Sequence, residues 1–118
     1  MVTAVATSGA FQLAVGSSAA AEIAAKLPHS TVLKAFNTTF AATLASKKIG
    51  AQQTTVLIAG DDDAGKKVLA TALEAGGVSA IDAGSLGRAH ELEALGFLQL
   101  TLAIGEKIGW TGGFAVVR

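Results

Sequence analysis

The sequence contains no cysteine, and this absence removes several classes of chemistry at once. Disulfide frameworks, thiolate nucleophiles, zinc ribbons and iron–sulfur clusters all need a thiol, which none of the 118 residues provides. Charge is also scarce, because charged residues make up only 15% of the chain. Nine basic residues balance nine acidic ones, so the chain presents no net charge to a nucleic-acid backbone or an anionic membrane. We therefore expect neither nucleic acid nor a membrane as a partner.

Long apolar segments are missing as well. The longest apolar stretch, residues 94–104, is shorter than the roughly 20 residues that a transmembrane helix needs. Residues 1–21 lack the basic start of a secretory signal. Hydrophobic residues nevertheless make up 51% of the chain, which excludes a disordered polypeptide. We expect residues 1–118 to form a single cytoplasmic domain.

So little charge in a small domain predicts that a partner covers part of an apolar surface. Residues 88–104 are expected to form a long helix, and its second half, GFLQLTLAI, is apolar nearly all round. A helix of this kind has to be buried, so its outer face is expected to meet another protein or another copy of the chain. A homodimer is the simplest hypothesis.

Helical and extended patterns alternate along the chain. Strands are expected at residues 31–36, 54–60 and 78–82, and the second of these is almost continuously apolar, as in a parallel sheet covered on both faces. Helices are expected at residues 19–27, 38–48 and 88–104 and between Asp63 and Gly76, while residues 2–5 form a short strand or a disordered start. This order predicts an α/β fold with a partial Rossmann-like parallel sheet of three main strands, flanking helices and a long C-terminal helix.

The segment GDDDAGKK, residues 60–67, has the spacing of a phosphate-binding loop between a strand and a helix. Lys67 occupies the position at which the motif needs Ser or Thr for magnesium. Asp61–Asp63 lie where the loop would cradle phosphate, and their charge would repel it. The acidic run is better explained as a helix start, which favours negative charge. A phosphate-binding domain that uses Gly60–Lys66 is a weaker alternative.

Other motifs of binding and catalysis are absent from the sequence. No G-x-G-x-x-G fingerprint occurs, so a self-sufficient dinucleotide site is not expected. His29 and His90 have no Glu or His partner at metal-ligand spacing, and no G-x-S-x-G elbow is present. We therefore expect no metal site, and no residue is assigned as a catalytic acid, base or nucleophile.

Two short segments carry the remaining signals. Asn37 and Thr38 follow a strand, where their side chains can donate to a carboxamide or carbonyl, or can cap the next helix. Trp110 is flanked by glycines and either forms the wall of a ligand pocket or anchors the C-terminal tail in the core. The residues alone leave both pairs of alternatives open.

Four blocks of sequence resemble one protein family. They are VLKAFNTTFAATL, TTVLIAGDDDAGKK, IDAGSLGRAHELEALGFLQLTLA and IGWTGGFAV, and they follow the family's order and spacing over residues 16–118. The chain resembles the C-terminal half of the NADPH-dependent deazaflavin (coenzyme F-420) oxidoreductase-like proteins, also called predicted dinucleotide-binding enzymes. In that family, the glycine fingerprint and a basic 2′-phosphate pocket belong to an N-terminal half that has no counterpart in this sequence.

The resemblance implies a function and a set of site residues. Phe36, Asn37 and Thr38 would border the nicotinamide of NADP(H). Four residues of the C-terminal region would shape the pocket for the hydride partner, a deazaflavin or flavin-like molecule: Phe97, Leu98, Leu102 and Trp110. Hydride transfer needs two stacked rings and no general base, so it is compatible with the lack of catalytic acids.

The missing diphosphate loop limits what the chain can do. We expect neither NADP(H) nor a deazaflavin to bind tightly to this chain alone. The leading hypothesis is the C-terminal portion of an NADP(H)-dependent oxidoreductase, incomplete as a catalyst: a fragment, a truncated paralogue, or a chain complemented by a separate N-terminal half. The alternative is a non-catalytic homodimeric interaction module derived from that family.

Overall fold

A computed structural model describes residues 2–7, 10–15, 31–36 and 38–118 of the chain. The elements in chain order are β1 (Val2–Thr7), β2 (Ala10–Val15), β3 (Thr31–Lys34), α1 (Ala41–Ser46), β4 (Lys48–Ile49), β5 (Gln52–Gln53), β6 (Thr55–Gly60), α2 (Asp63–Ala75), β7 (Ser79–Gly84) and α3 (Ala89–Ile104). A 3-10 turn, Leu86–Arg88, leads into α3. The helix expected at residues 19–27 and the site residue Asn37 lie outside this description. Within it, no helix has the length and apolar character needed to cross a membrane.

Five strands form one mixed sheet in the order β2–β1–β3–β6–β7. The α/β class, the flanking helices and the long C-terminal helix are confirmed. The parallel pairing predicted for the three main strands holds for β6 and β7, whereas β3 is antiparallel to β6 and to β1. The connection between β3 and β6 explains the difference. Its one helix in the described range, α1, has six residues and is too short to carry the chain back across the sheet.

Helix α1 is shorter than the helix expected at residues 38–48. The residues before it form a turn, because the backbone N–H and the hydroxyl of Thr39 both donate to the carbonyl of Phe36, at 3.2 and 2.9 Å. Phe40 is then the N-cap, and Lys47 ends the helix in the left-handed conformation, with φ of 63°. The local turn at the two threonines therefore overrides their helical pattern.

Helix α2 begins and ends close to where its sequence predicts. Asp62 is the N-cap, and its side chain accepts a hydrogen bond from the backbone N–H of Gly65 at 3.1 Å. The helix ends at Ala75, before Gly76 and Gly77, and of these two glycines only Gly77 adopts a left-handed φ, of +93°. The acidic run is therefore confirmed as a helix start.

The hydrophobic core lies between the sheet and α2. Its buried members come from the interior face of three strands and from α2 and the segment after it: Leu33, Ala35, Val56, Ile58, Leu69, Val78 and Ala80. Side chains alternate along a strand, so Lys34 points to the opposite face from Leu33. There it lies 3.5 Å from Glu93 of α3. The sheet is thus covered by α2 on one face and by α3 on the other.

The antiparallel pairing of β3 separates two regions that an all-parallel sheet would bring together. Gly60–Asp63 and Asp82–Ser85, here named the acidic end, lie where β6 and β7 finish. Phe36 and Thr38–Phe40 follow β3, whose chain runs past β6 toward the start of that strand. With the tail residues Gly109–Phe114 they are named the corner end. Helix α3 starts near the acidic end and runs back to the corner end.

Candidate functional site

A cleft of about 490 Å³ lies at the acidic end. It is lined by residues from the ends of β6 and β7 and from the start of α2: Gly60, Asp61, Asp63, Lys66, Asp82, Gly84 and Ser85. This is the edge at which open α/β sheets usually bind ligands. Here, however, three carboxylates face one ammonium group, so the lining carries a net negative charge. Such a cleft repels phosphate.

Lys66 is the cation that a phosphate-binding loop would need, and the fold already uses it. The side chain is 5% exposed, and its Nζ donates to Asp82 Oδ1 at 2.8 Å and to the carbonyl of Gly84 at 3.1 Å. Asp63 Oδ1 is 3.2 Å away. The hydrogen bond to Asp82 raises the pKa of Lys66 and lowers the pKa of the Asp82 carboxyl. We call this set of contacts the Lys66 clamp.

Backbone N–H groups also bind two of the carboxylates at this end. Asp82 Oδ1 accepts from the backbone N–H of Gly84 at 2.8 Å, and Asp61 Oδ1 accepts from that of Leu86 at 3.0 Å. Over the ranges that the structure describes, no group of three or more His, Asp or Glu side chains is arranged to hold a metal ion. The acidic end therefore links α2, β7 and the turn before α3.

The corner end begins with an unusual backbone conformation at Phe36. Its φ of +70° lies in the left-handed region, which an aromatic residue rarely adopts. The two hydrogen bonds from Thr39 to its carbonyl hold it there. Thr38, 6% exposed, lies in the same turn. Backbone strain of this kind clusters at functional sites, where the surroundings enforce it.

Gln99 joins this turn to α3 and to the tail. Its side chain is 2% exposed, and its Nε2 donates to the carbonyl of Thr38 at 3.2 Å. Its Oε1 accepts from the backbone N–H of Phe114 at 3.0 Å. We call this pair of bonds the Gln99 bridge. The sequence analysis missed it, although Gln99 is the one amide in the apolar segment GFLQLTLAI.

Trp110, for which the sequence left two roles open, lies at the surface of the corner end. Its ring packs on Phe40, with centroids 5.1 Å apart and planes tilted by 55°. It also remains 53% exposed and lines a second cleft, of about 380 Å³. The other lining residues come from the end of α3 and the turns after it: Ala103, Glu106, Lys107, Ile108 and Gly109. The ring therefore contacts Phe40 without entering the core and borders a cleft, and its role in a ligand pocket stays a prediction.

The remaining predicted pocket residues lie elsewhere on α3. Phe97 and Leu98 are 61% and 50% exposed on its outer face, and Leu102 is half-buried. None of the three lines either of the two clefts. One face of this helix packs on the sheet, and its outer face is exposed in the isolated chain. Coverage of that outer face by a partner or a second copy stays a prediction. The roles of Phe36, Thr38 and these residues in cofactor or substrate binding stay predictions, as does that of Asn37.

Lys34 is a second buried residue that the sequence analysis did not single out. Its side chain is fully buried and lies 3.5 Å from Glu93 Oε1. Its Nζ makes no hydrogen bond within the described part of the chain. The contact ties the strand that leads into the corner to the first half of α3.

The structure is similar to a solved one. A crystal structure of a putative F420-dependent NADP reductase from Arthrobacter sp. FB24 matches with a TM-score of 0.73 and 23% sequence identity. The match covers 97% of this chain and 54% of that one, so the chain spans about half the length of that protein. No protein-family model and no curated protein matches the chain. At this identity the likeness shows the fold alone: the chain shares the fold of about half of that protein.

Proposed function

We propose that this chain supplies the ring-binding wall of an NADP(H)-dependent oxidoreductase, with its site at the corner end. The observation that carries the proposal is the Gln99 bridge, which joins the strained turn at Phe36 and Thr38 to the tail that holds Trp110. The shared fold with a protein described as a putative F420-dependent NADP reductase supports the same class of reaction, with a deazaflavin or flavin-like molecule as hydride partner.

The corner end fits the planar ring of a nicotinamide. Phe40 and Trp110 supply aromatic surface, and the cleft beside Trp110 has room for a ring. Phe36 lies in the turn before Phe40, and its own side chain packs against the core. When bound, NADPH supplies the hydride. The task of the side chains is to hold the ring in one orientation and to exclude water, and neither task needs a titrating group.

The diphosphate of a dinucleotide does not fit the cleft at the acidic end. At the acidic end, the ammonium of Lys66 is committed to Asp82 and Gly84, and carboxylates line the same cleft. The sequence also contains no glycine fingerprint. We propose that a further polypeptide segment, on the same chain or another, supplies the diphosphate-binding loop.

Calorimetric titration compares the binding of the whole cofactor with the binding of its nicotinamide half. The chain is titrated with NADPH and, separately, with reduced nicotinamide mononucleotide. We expect weak binding of equal strength, because the carboxylates of the acidic end repel the additional phosphates of NADPH. NADPH binding tighter by about tenfold or more, equivalent to about 1.4 kcal/mol, would mean that the adenosine half is held and the site is complete. Failure of the mononucleotide to bind at all would contradict the proposal that this chain supplies a ring-binding wall.

Two variants test whether the mononucleotide binds at the corner end. Trp110→Leu removes the exposed ring that lines the cleft and is expected to abolish mononucleotide binding. Val68→Ala, at a residue of α2 that is similarly exposed (56%), serves as the control and is expected to bind like the unmodified chain. Equal losses in the two variants would show that the effect is not specific to the corner end.

The outer face of α3 favours a second candidate function, a homodimeric interaction module. Phe97, Leu98 and Ile104 are exposed there, and no charged residue occurs between Glu93 and Glu106. Exposed apolar surface of this kind marks protein interfaces. Leu98→Asp should convert a dimer to a monomer in sedimentation experiments, while Val68→Asp on α2 should not. An unmodified chain that sediments as a monomer at every concentration would exclude the homodimer.

A further inference from the structure

The geometry points to Gln99 as a positioning residue, whose bridge fixes the tail residues Gly109–Phe114, and with them Trp110, relative to the turn at Phe36 and Thr38. The tail, which carries the cleft wall Trp110, and this turn then move as one unit. The importance of this unit for a cofactor rests on the proposed function, but the bridge itself does not.

The burial of Gln99 indicates that its amide has a specific task. Leaving an amide without partners in an apolar environment is unfavourable, and this side chain is 2% exposed in the apolar half of α3. Its donor and its acceptor reach backbone groups 61 and 15 residues away in the sequence. Because one end can only donate and the other only accept, the two bonds fix the orientation of the amide.

The backbone at Gly113 is shaped to approach this amide. A Cβ added at Gly113 would lie 2.8 Å from Gln99 Oε1, and its φ of +146° disfavours any other residue. The absence of a side chain at this position therefore brings the N–H of Phe114 within hydrogen-bonding distance of Gln99.

The tail depends on contacts of this kind because residues 109–118 form no helix or strand. A turn closes it locally, from the N–H of Gly112 to the carbonyl of Gly109 at 3.0 Å. Its last residue, Arg118, donates to Ser79 Oγ and to the carbonyl of Ala80, both at 3.0 Å. Between these points, the Gln99 bridge and the packing of Trp110 on Phe40 connect it to the body of the protein.

The sequence provides its own reporter for this arrangement. Trp110 is the single tryptophan and the chain has no tyrosine, so the fluorescence emission comes from the tail alone when tryptophan is excited selectively. Release of the tail would separate Trp110 from Phe40. We expect this to shift the emission maximum to the red and to increase quenching by acrylamide.

Gln99→Glu tests the bridge with a change of one atom in the side chain. An ionised carboxylate can still accept from the N–H of Phe114 but cannot donate to the carbonyl of Thr38, whereas a protonated carboxyl can do both. Burial favours the protonated form, so lowering the pH from about 8 to about 5 should restore the unmodified emission. Gln99→Met, which makes neither bond, should be red-shifted at both pH values.

The matched control is Gln53→Glu. Gln53 also donates from Nε2 to a backbone carbonyl, that of Gly77 at 3.0 Å, but it is exposed and lies in β5. It should have the emission of the unmodified chain throughout the pH range. The unmodified chain, measured over the same pH range, provides the baseline.

Folded Gln99→Glu and Gln99→Met variants with unmodified emission at every pH would overturn the proposal. If Gln99→Met fails to fold, as judged by circular dichroism, Gly113→Ala disturbs the same bridge from the tail side. It should give the red shift, and unchanged emission in Gly113→Ala would overturn the proposal equally. No cofactor is present in these experiments. Failure of NADPH and its mononucleotide to bind therefore refutes the proposed function and leaves the bridge intact. An unresponsive Trp110 refutes the bridge, whether or not a nucleotide binds.

Discussion

Different interactions stabilise the two ends of the sheet. At the acidic end, Lys66 draws α2 and β7 together through charge, in a cleft lined by carboxylates. At the corner end, the neutral amide of Gln99 and the rings of Phe40 and Trp110 hold the tail. At the end with the spacing of a ligand-binding motif, the lysine is thus bonded to the protein itself, while the end without a charged motif keeps aromatic surface exposed. Motif spacing alone does not identify the site.

The largest expected effect comes from close packing at the acidic end. A Cβ on Gly60 would lie 2.5 Å from Leu33 Cδ2 and 3.3 Å from the carbonyl of Val32. Gly60→Ala should therefore lower the free energy of unfolding by about 1–3 kcal/mol, measured in urea. Gly87→Ala, where the added atom meets only Ser85 Oγ at 3.5 Å, should change it by less than about 0.5 kcal/mol. Equal stabilities of the two variants would contradict the packing of β6 on β3.

Removal of the Lys66 clamp should have a smaller effect that depends on salt. Lys66→Met is expected to lower the free energy of unfolding by about 1–2 kcal/mol, because Asp82 is 54% exposed and water screens the pair. The loss should shrink as salt is added, since the clamp is electrostatic. The control, Lys67→Met at the exposed neighbouring lysine, should leave stability unchanged. A loss that does not depend on salt would mean that the packing of the side chain, not its charge, holds α2 to β7.

The clamp also predicts how stability depends on pH. The lowered pKa of Asp82 gives a contribution that is present above its ordinary value of 3.8 and is lost as the pH falls below it. The raised pKa of Lys66 gives a contribution that is present below 10.5 and is lost as the pH rises through the folded-state value above it. The difference in unfolding free energy between the unmodified chain and Lys66→Met should be constant between these limits and decrease outside them. The corresponding difference for Gln99→Met should not vary with pH.

The smallest expected effect on stability is that of Trp110→Leu. The ring is 53% exposed, so its loss removes chiefly the contact with Phe40, which is expected to contribute about 1 kcal/mol or less. Phe97→Leu, at an exposed aromatic residue on the outer face of α3, should have no measurable effect in thermal unfolding of the monomer. A larger loss at Phe97 than at Trp110 would indicate that the outer face of α3 is covered in solution.

Features that depend on neighbouring residues could be predicted from the sequence, and those that depend on distant ones could not. The apolar run of β6 and the acidic start of α2 are local patterns, and both lie where expected. The charges of Asp61–Asp63 also predicted a helix start, and the N-cap at Asp62 confirms it. The antiparallel pairing of β3 depends on how far α1 extends, and the turn made by Thr39 shortens that helix.

The same distinction holds for the candidate site. Phe36, Thr38 and Trp110 could be named from sequence, but the side chain that joins them could not, because Gln99 and Thr38 are 61 residues apart. Lys66 matched a known motif, but its partner Asp82 is 16 residues away and comes from the next strand. A lysine committed to a carboxylate and a lysine free to bind phosphate have the same sequence signature.

The most direct test of the ring-binding wall is to map its location on the chain by NMR. Amide chemical shifts are recorded as reduced nicotinamide mononucleotide is added to the labelled chain. The account predicts shifts at Phe36, Thr38–Phe40 and Gly109–Phe114 and at the side-chain amide of Gln99. Shifts confined to Gly60–Lys66 and Asp82–Ser85 would contradict it, because the ligand would then occupy the acidic end.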